Sequence, residues 1–209
     1  MNFEDAARDC GIIAILRGVT LDEVAGVGDA LYGAGIRIVE VPLNSPEPFR
    51  SITALAARFQ GRMVVGAGTV LDADSVDRVR SAGGQISVSP DCNPAVIARA
   101  VERNMVPLPG VFTPTEAFSA VRAGARHLKL FPAEAASPKT VKAWKAVLPR
   151  DVKLYAVGGV TPANMREWAE AGCAGFGIGS NIYKAGMSAA DVGKAAADFV
   201  AAWNGLKGA

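Results

Sequence analysis

The chain repeats one piece of punctuation: an Ala-Gly pair that closes an amphipathic stretch and opens a short apolar run. It recurs as "AGIRIVEVP" from Ala34, "AGGQISVSP" from Ala82, "AGARHLKLFP" from Ala123 and "AGCAGFGIGS" from Ala171. Gly at the end of an amphipathic segment takes the left-handed conformation that stops a helix. The apolar run behind it has the pattern of a parallel strand buried on both faces. Counting all such units gives eight strands, at 12–17, 37–42, 63–68, 85–89, 105–109, 127–132, 153–158 and 175–179. Helices are predicted between them, starting near Leu21, Pro46, Ala73, Pro94, Thr115, Pro138, Pro162 and Ala189. Several begin with Ser, Thr or Asn followed by Pro, the cap and first-turn pattern. "FEDAARDC" predicts one further helix ahead of the first strand.

Eight βα units in 209 residues predict a single-domain (β/α)8 TIM barrel over 1–209 with an extra N-terminal helix, compact for a fold that typically runs to about 250 residues. An open doubly wound sheet is the rival, but no G-x-G-x-x-G triple follows any strand and no G-x-x-x-x-G-K-[ST] occurs. The formal charge of +2 gives no reason to expect nucleic acid or a membrane as partner. Cys10, Cys92 and Cys173 are scattered and show no C-x-x-C spacing, as expected of thiols in a reducing compartment. The acidic, mixed "MNFEDAARDC" is unlike a targeting peptide. The expectation is a cytoplasmic protein.

Barrel chemistry sits at the C-terminal ends of the strands, which singles out the polar residues there: Arg17, Glu40, Thr69 and Lys129. An unpaired charge taken from water is costly, so a Glu40–Lys129 or Glu40–Arg17 ion pair holding the barrel together is one reading. The other is a site. Alternation places His127, Lys129 and Phe131 on one side of their strand and Leu128 and Leu130 on the other. If the leucines meet the helices, Lys129 points into the barrel. Burial and a neighbouring Arg17 push such an amine toward its neutral form, which adds to ketones as a Schiff base. Glu40 is the one carboxylate within a strand and is the candidate proton carrier. Asp72, Asp74 and Asp91 read as caps or solvated charge. With His127 as the only histidine, a zinc site of the usual kind cannot be assembled; a hydrogen-bonded core histidine is the favoured reading of His127. No metal and no cofactor is expected.

"VGGVTPANM" and "GIGSNIY" follow the seventh and eighth strands, the positions where such barrels recurrently bind phosphate. Gly158, Gly159, Gly179 and Ser180 there offer backbone N–H groups without charge. Tight βα turns need glycine in any case, but the two loops together favour a phosphate.

"GIIAILRG", "VEVPLNSP", "GAGTVL", "HLKLFPAE", "AVGGVTP" and "GIGS", in that order, resemble the 2-keto-3-deoxy-6-phosphogluconate/6-phosphogalactonate aldolases. The resemblance runs from Ile12 to Tyr183 and implies a metal-free class I aldolase, usually trimeric. It implies Lys129 as the Schiff-base lysine and Glu40 as the acid/base. It further implies that Arg17 and Thr69 hold the substrate carboxylate, that Pro90 and Phe131 line the pyruvyl pocket, and that the glycines and Ser180 hold the phosphate. Pro42-Leu43-Asn44 and Val157-Gly158-Gly159 are similar to the galactonate type, where gluconate-type members tend to carry Thr-Leu-Arg and a Thr before the Gly pair. Arg17 then takes over the duty of the Arg replaced by Asn44, and Val157 alters preference at C4 of the substrate. The implied role is cleavage of 2-dehydro-3-deoxy-6-phosphogalactonate in galactonate catabolism. The alternatives are the gluconate-epimer or 4-hydroxy-2-oxoglutarate activity, a non-catalytic barrel that binds a phosphometabolite, and a proton-shuttling isomerase or epimerase.

Overall fold

In the computed structural model, which describes residues 1–207, the parallel barrel is present; residues 208–209 of the expected domain lie outside the described residues. The strands are β1 (Ile12–Ile15), β2 (Ile38–Pro42), β3 (Val64–Gly68), β4 (Ile86–Val88), β5 (Val106–Leu108) and β6 (Gly110–Val111), followed by β7 (His127–Leu130), β8 (Lys153–Val157) and β9 (Cys173–Ile178). The helices are α1 (Phe3–Asp9), α2 (Leu21–Ala34), α3 (Pro48–Arg58), α4 (Ala73–Ser81) and α5 (Pro94–Glu102), then α6 (Pro114–Arg122), α7 (Pro138–Lys145), α8 (Met165–Ala171) and α9 (Ala189–Lys207).

The sheet order is β5-β4-β3-β2-β1-β9-β8-β7-β6. Its two edges are β5, which lies within the fifth predicted strand, and β6, which follows that strand directly, with Pro109 between them. The strand expected over 105–109 is shortened to Val106–Leu108, in which Pro107 pairs opposite Ser87 although it has no N–H to give a ladder. The ring closes across the break, where the Lys129 N–H donates to the Pro109 carbonyl at 2.9 Å. Two further expectations need correction. The third helix starts at Pro48 rather than Pro46. The helix expected from Pro162 starts at Met165, because Asn164 Oδ1 accepts the Thr161 N–H at 2.9 Å and holds the chain in a turn first.

Alternation divides the core into two layers. Ile13, Ile38, Val64, Ile86, Val88, Leu108 and Tyr155 fill the barrel interior, while Ile12, Val39, Val65, Leu128, Leu130 and Leu154 pack outward with the helices. The same alternation turns Glu40, His127 and Lys129 inward. α1 closes the bottom: Phe3 and Ala6 join the interior cluster, and Asn2 caps the helix by accepting the Asp5 N–H. His127 is the hydrogen-bonded core residue expected of it. Its Nε2 lies 2.9 Å from Glu4 Oε1, its Nδ1 lies 3.3 Å from the Tyr155 hydroxyl, and the Phe3 ring meets it edge-on.

Candidate active site

Lys129 comes from the middle of β7 and Glu40 from the middle of β2; they are 8 % and 2 % exposed. Burial holds the Lys129 amine below the usual lysine range, opposed by the charge of Glu40 and aided by that of Arg17. Burial pushes the Glu40 carboxyl up to about 7, against the pull of Lys129 and Arg17. Burial thus disfavours the charged form of both groups, and Glu40 changes its charge close to neutral pH. Neither ion pair weighed from the sequence is made: among the described residues the salt bridges lie elsewhere, and Glu40 Oε2 is buried with no hydrogen-bond partner. An acceptor left unsatisfied in a core costs about 1–3 kcal/mol. Here it is the atom from which a proton carrier would work.

The sequence reading missed the residue that makes room for it. A Cβ on Gly68 would come within 1.8 Å of Glu40 Oε2 and 2.3 Å of its carboxyl carbon. Only glycine lets the β3 backbone lie so close to the carboxylate. The next residue, Thr69, has φ of 56°, a left-handed conformation that is strained for a β-branched side chain, at about 1–3 kcal/mol.

A cavity of about 410 Å³ opens at the C-terminal ends of β1, β7, β8 and β9. Of the residues singled out from sequence, Arg17, Phe131, Val157, Gly158, Gly159, Gly179 and Ser180 line it; Lys129, Glu40, Thr69 and Pro90 do not. Phe131 links cavity and lysine, its ring centroid lying 4.4 Å from Lys129 Nζ. Arg17, whose charge acts on both buried groups, donates to Asn44 Oδ1 at 2.9 Å. In the rim, the backbone N–H groups of Gly159, Val160, Ser180 and Asn181 have no hydrogen-bond partner among the described residues. Backbone N–H groups left free in this way are the kind of donor that anions take up. The helices after these loops start too far along the chain, at Met165 and Ala189, to supply their N-termini.

Beyond the residues singled out from sequence, the charged Lys184 and Glu134 also line the cavity, as does Tyr183. The signal for Lys184 lay in the polar run "SNIYK" directly after the Gly-rich strand end. Among the described residues no group of three His, Cys, Asp or Glu side chains is placed to hold a metal ion.

A parallel barrel with an inward lysine, an inward carboxylate and a rim of free backbone N–H groups defines the class of lyase-type barrels that act on phosphorylated metabolites. Within it, the chain belongs to the KDPG and KHG aldolase family, whose model matches residues 3–197. It is 47 % identical over 197 residues to the probable 2-dehydro-3-deoxy-6-phosphogalactonate aldolase of Rhizobium meliloti (strain 1021), covering 94 % of this chain and 93 % of that one. It is 47 % identical over 192 residues to the 2-dehydro-3-deoxy-6-phosphogalactonate aldolase of Escherichia coli (strain K12), covering 92 % and 94 %. Among solved structures, one described as "Native KDPGal structure" matches with a TM-score of 0.93 at 46 % identity, over 95 % of this chain and 96 % of that one.

Proposed function

We propose that the chain cleaves 2-dehydro-3-deoxy-6-phosphogalactonate to pyruvate and glyceraldehyde 3-phosphate through a Schiff base on Lys129. The observation that carries this reading is a buried amine and a buried carboxyl that make no ion pair with each other, the amine lying over Phe131, which lines a cavity rimmed by free N–H groups. Neutral Lys129 Nζ adds to the C2 ketone, and loss of water gives an iminium. Ionised Glu40, directly or through a water, takes the C4 hydroxyl proton; the C3–C4 bond breaks and its electrons pass to the iminium, leaving an enamine. Glyceraldehyde 3-phosphate departs, C3 is protonated, and hydrolysis frees pyruvate. With its acidity near neutral, Glu40 both accepts and returns protons.

Arg17 and Thr69 hold the carboxylate end in this reading, and Pro90 and Phe131 flank the pyruvyl carbons. The phosphate lies against Gly158, Gly159, Gly179 and Ser180 with Lys184 as countercharge, which fixes the distance from phosphate to C2. Val157 offers no hydroxyl to the C4 group, consistent with the galactonate epimer. We further propose a homotrimer in the cytoplasm. Leu71 and Phe112, 51 % and 41 % exposed in the loops after β3 and β6, offer apolar surface for a second copy, and light scattering at three times the 21.6 kDa chain mass tests it.

The activity is tested by following pyruvate release from the purified galactonate and gluconate epimers. Release from both, with the higher kcat/KM on the galactonate epimer, is expected; no pyruvate from either contradicts the reading.

A further inference from the structure

Gly158 and Gly159 sit at φ of 105° and 68°, a left-handed pair in which peptide planes turn more freely than beside any residue with a Cβ. A soft turn is a poor anion site, since its N–H groups must be frozen when the ligand arrives. This turn is held from behind. Asn164 Nδ2 donates to the Gly159 carbonyl at 3.0 Å, while its Oδ1 accepts the Thr161 N–H at 2.9 Å. Asn181, from the loop after β9, donates through Nδ2 to the Val160 carbonyl at 3.0 Å. In a planar trans peptide the C=O and the N–H point opposite ways. Pinning the Gly159 carbonyl therefore sets the direction of the Val160 N–H, one of the four free donors of the rim. The Asn181 bond also ties the two halves of that rim together, since Ser180 and Asn181 carry the other pair of free N–H groups.

We propose that Asn164 and Asn181 are positioning residues for phosphate recognition: their side-chain amides fix the two carbonyls of the 159–160 turn and preorganise the rim donors before substrate binds. The inference rests on the reading of this cavity as the phosphate site. Neither amide takes part in the chemistry at C2 or C4. Their loss acts on the phosphorylated end of the substrate and leaves the lysine and the carboxyl in place.

Asn164→Ala and Asn181→Ala are compared with wild type in three measurements: KM and kcat for 2-dehydro-3-deoxy-6-phosphogalactonate, the same constants for its unphosphorylated counterpart, and competitive inhibition by inorganic phosphate. One lost neutral hydrogen bond corresponds to about fivefold. Each variant is expected to raise KM for the phosphorylated aldol and the phosphate inhibition constant about fivefold relative to the unphosphorylated aldol, with kcat for the phosphorylated aldol within about twofold of wild type. The inference is overturned if the phosphorylated-to-unphosphorylated ratio does not move, or if both aldols lose kcat/KM together, in either variant. Wild type that phosphate does not inhibit, and that treats the two aldols alike, removes the phosphate reading and this inference with it. Wild type that phosphate does inhibit, beside unmoved variants, removes the inference alone. Asn181 is exposed, so that variant keeps the core intact, and a thermal melt checks this.

Discussion

At pH 8 the folded protein carries an ionised carboxylate at Glu40 that burial disfavours. Its ordinary value is 4.5 and its folded value about 7, so the native state holds this proton more tightly than the unfolded chain does. The resulting stability is fully present below pH 4.5 and is lost as pH rises through 7. Linkage puts the loss at ~3 kcal/mol by pH 8 and ~1 kcal/mol at pH 5, a difference of ~2 kcal/mol. Glu40→Gln has no such dependence, and any fixed cost of burying the amide cancels when two pH values are compared. The variant also deprives Lys129 of an attracting charge, which lowers the proton affinity of the native amine and moves the comparison the same way. Urea unfolding of both proteins at pH 5 and pH 8 is the assay. The stability of Glu40→Gln relative to wild type is predicted to rise by ~2 kcal/mol or more between them, while its turnover falls at least about a hundredfold, within the usual contribution of an acid/base group. A relative stability that is flat with pH would refute the claim that this carboxylate is held against its solvation preference.

Gly68→Ala should destabilise the fold by about 1–3 kcal/mol and lower kcat, because the fully enclosed Glu40 has no space to yield; wild-type urea midpoints and turnover would contradict this. Lys184→Ala is expected to raise KM for the phosphorylated substrate about tenfold, as for a lost charge-assisted hydrogen bond, with pyruvate binding at Lys129 unaffected. Val157→Thr restores a hydroxyl beside C4 and should move the ratio of kcat/KM for the two epimers toward the gluconate form. A ratio identical to wild type counts against contact at that position.

The parallel strands were legible because barrel strands are apolar on both faces, and the inward direction of Lys129 followed from Leu128 and Leu130 alone. The break at Pro109 falls within "VPLP", which reads as one continuous strand by local pattern. Thr161-Pro162 carries a true helix-start pattern, yet Asn164 captures the Thr161 N–H first and delays α8 to Met165. The lysine and the carboxyl stood out as charged residues inside apolar strand runs, and the glycine loops stood at strand ends, where local pattern points to them. Gly68, Asn164 and Asn181 were not legible in the same way, because what defines them is a contact with a distant carboxylate or carbonyl that no periodicity encodes.

The central claim is that Lys129 presents a neutral amine to a bound keto acid. Incubation with pyruvate, reduction with borohydride, and peptide mass mapping tests it most directly. The account predicts one reduced pyruvate on Lys129, absent from Lys129→Ala and retained at least in part by Glu40→Gln. An unmodified wild-type protein, or an adduct on any other lysine, would contradict it.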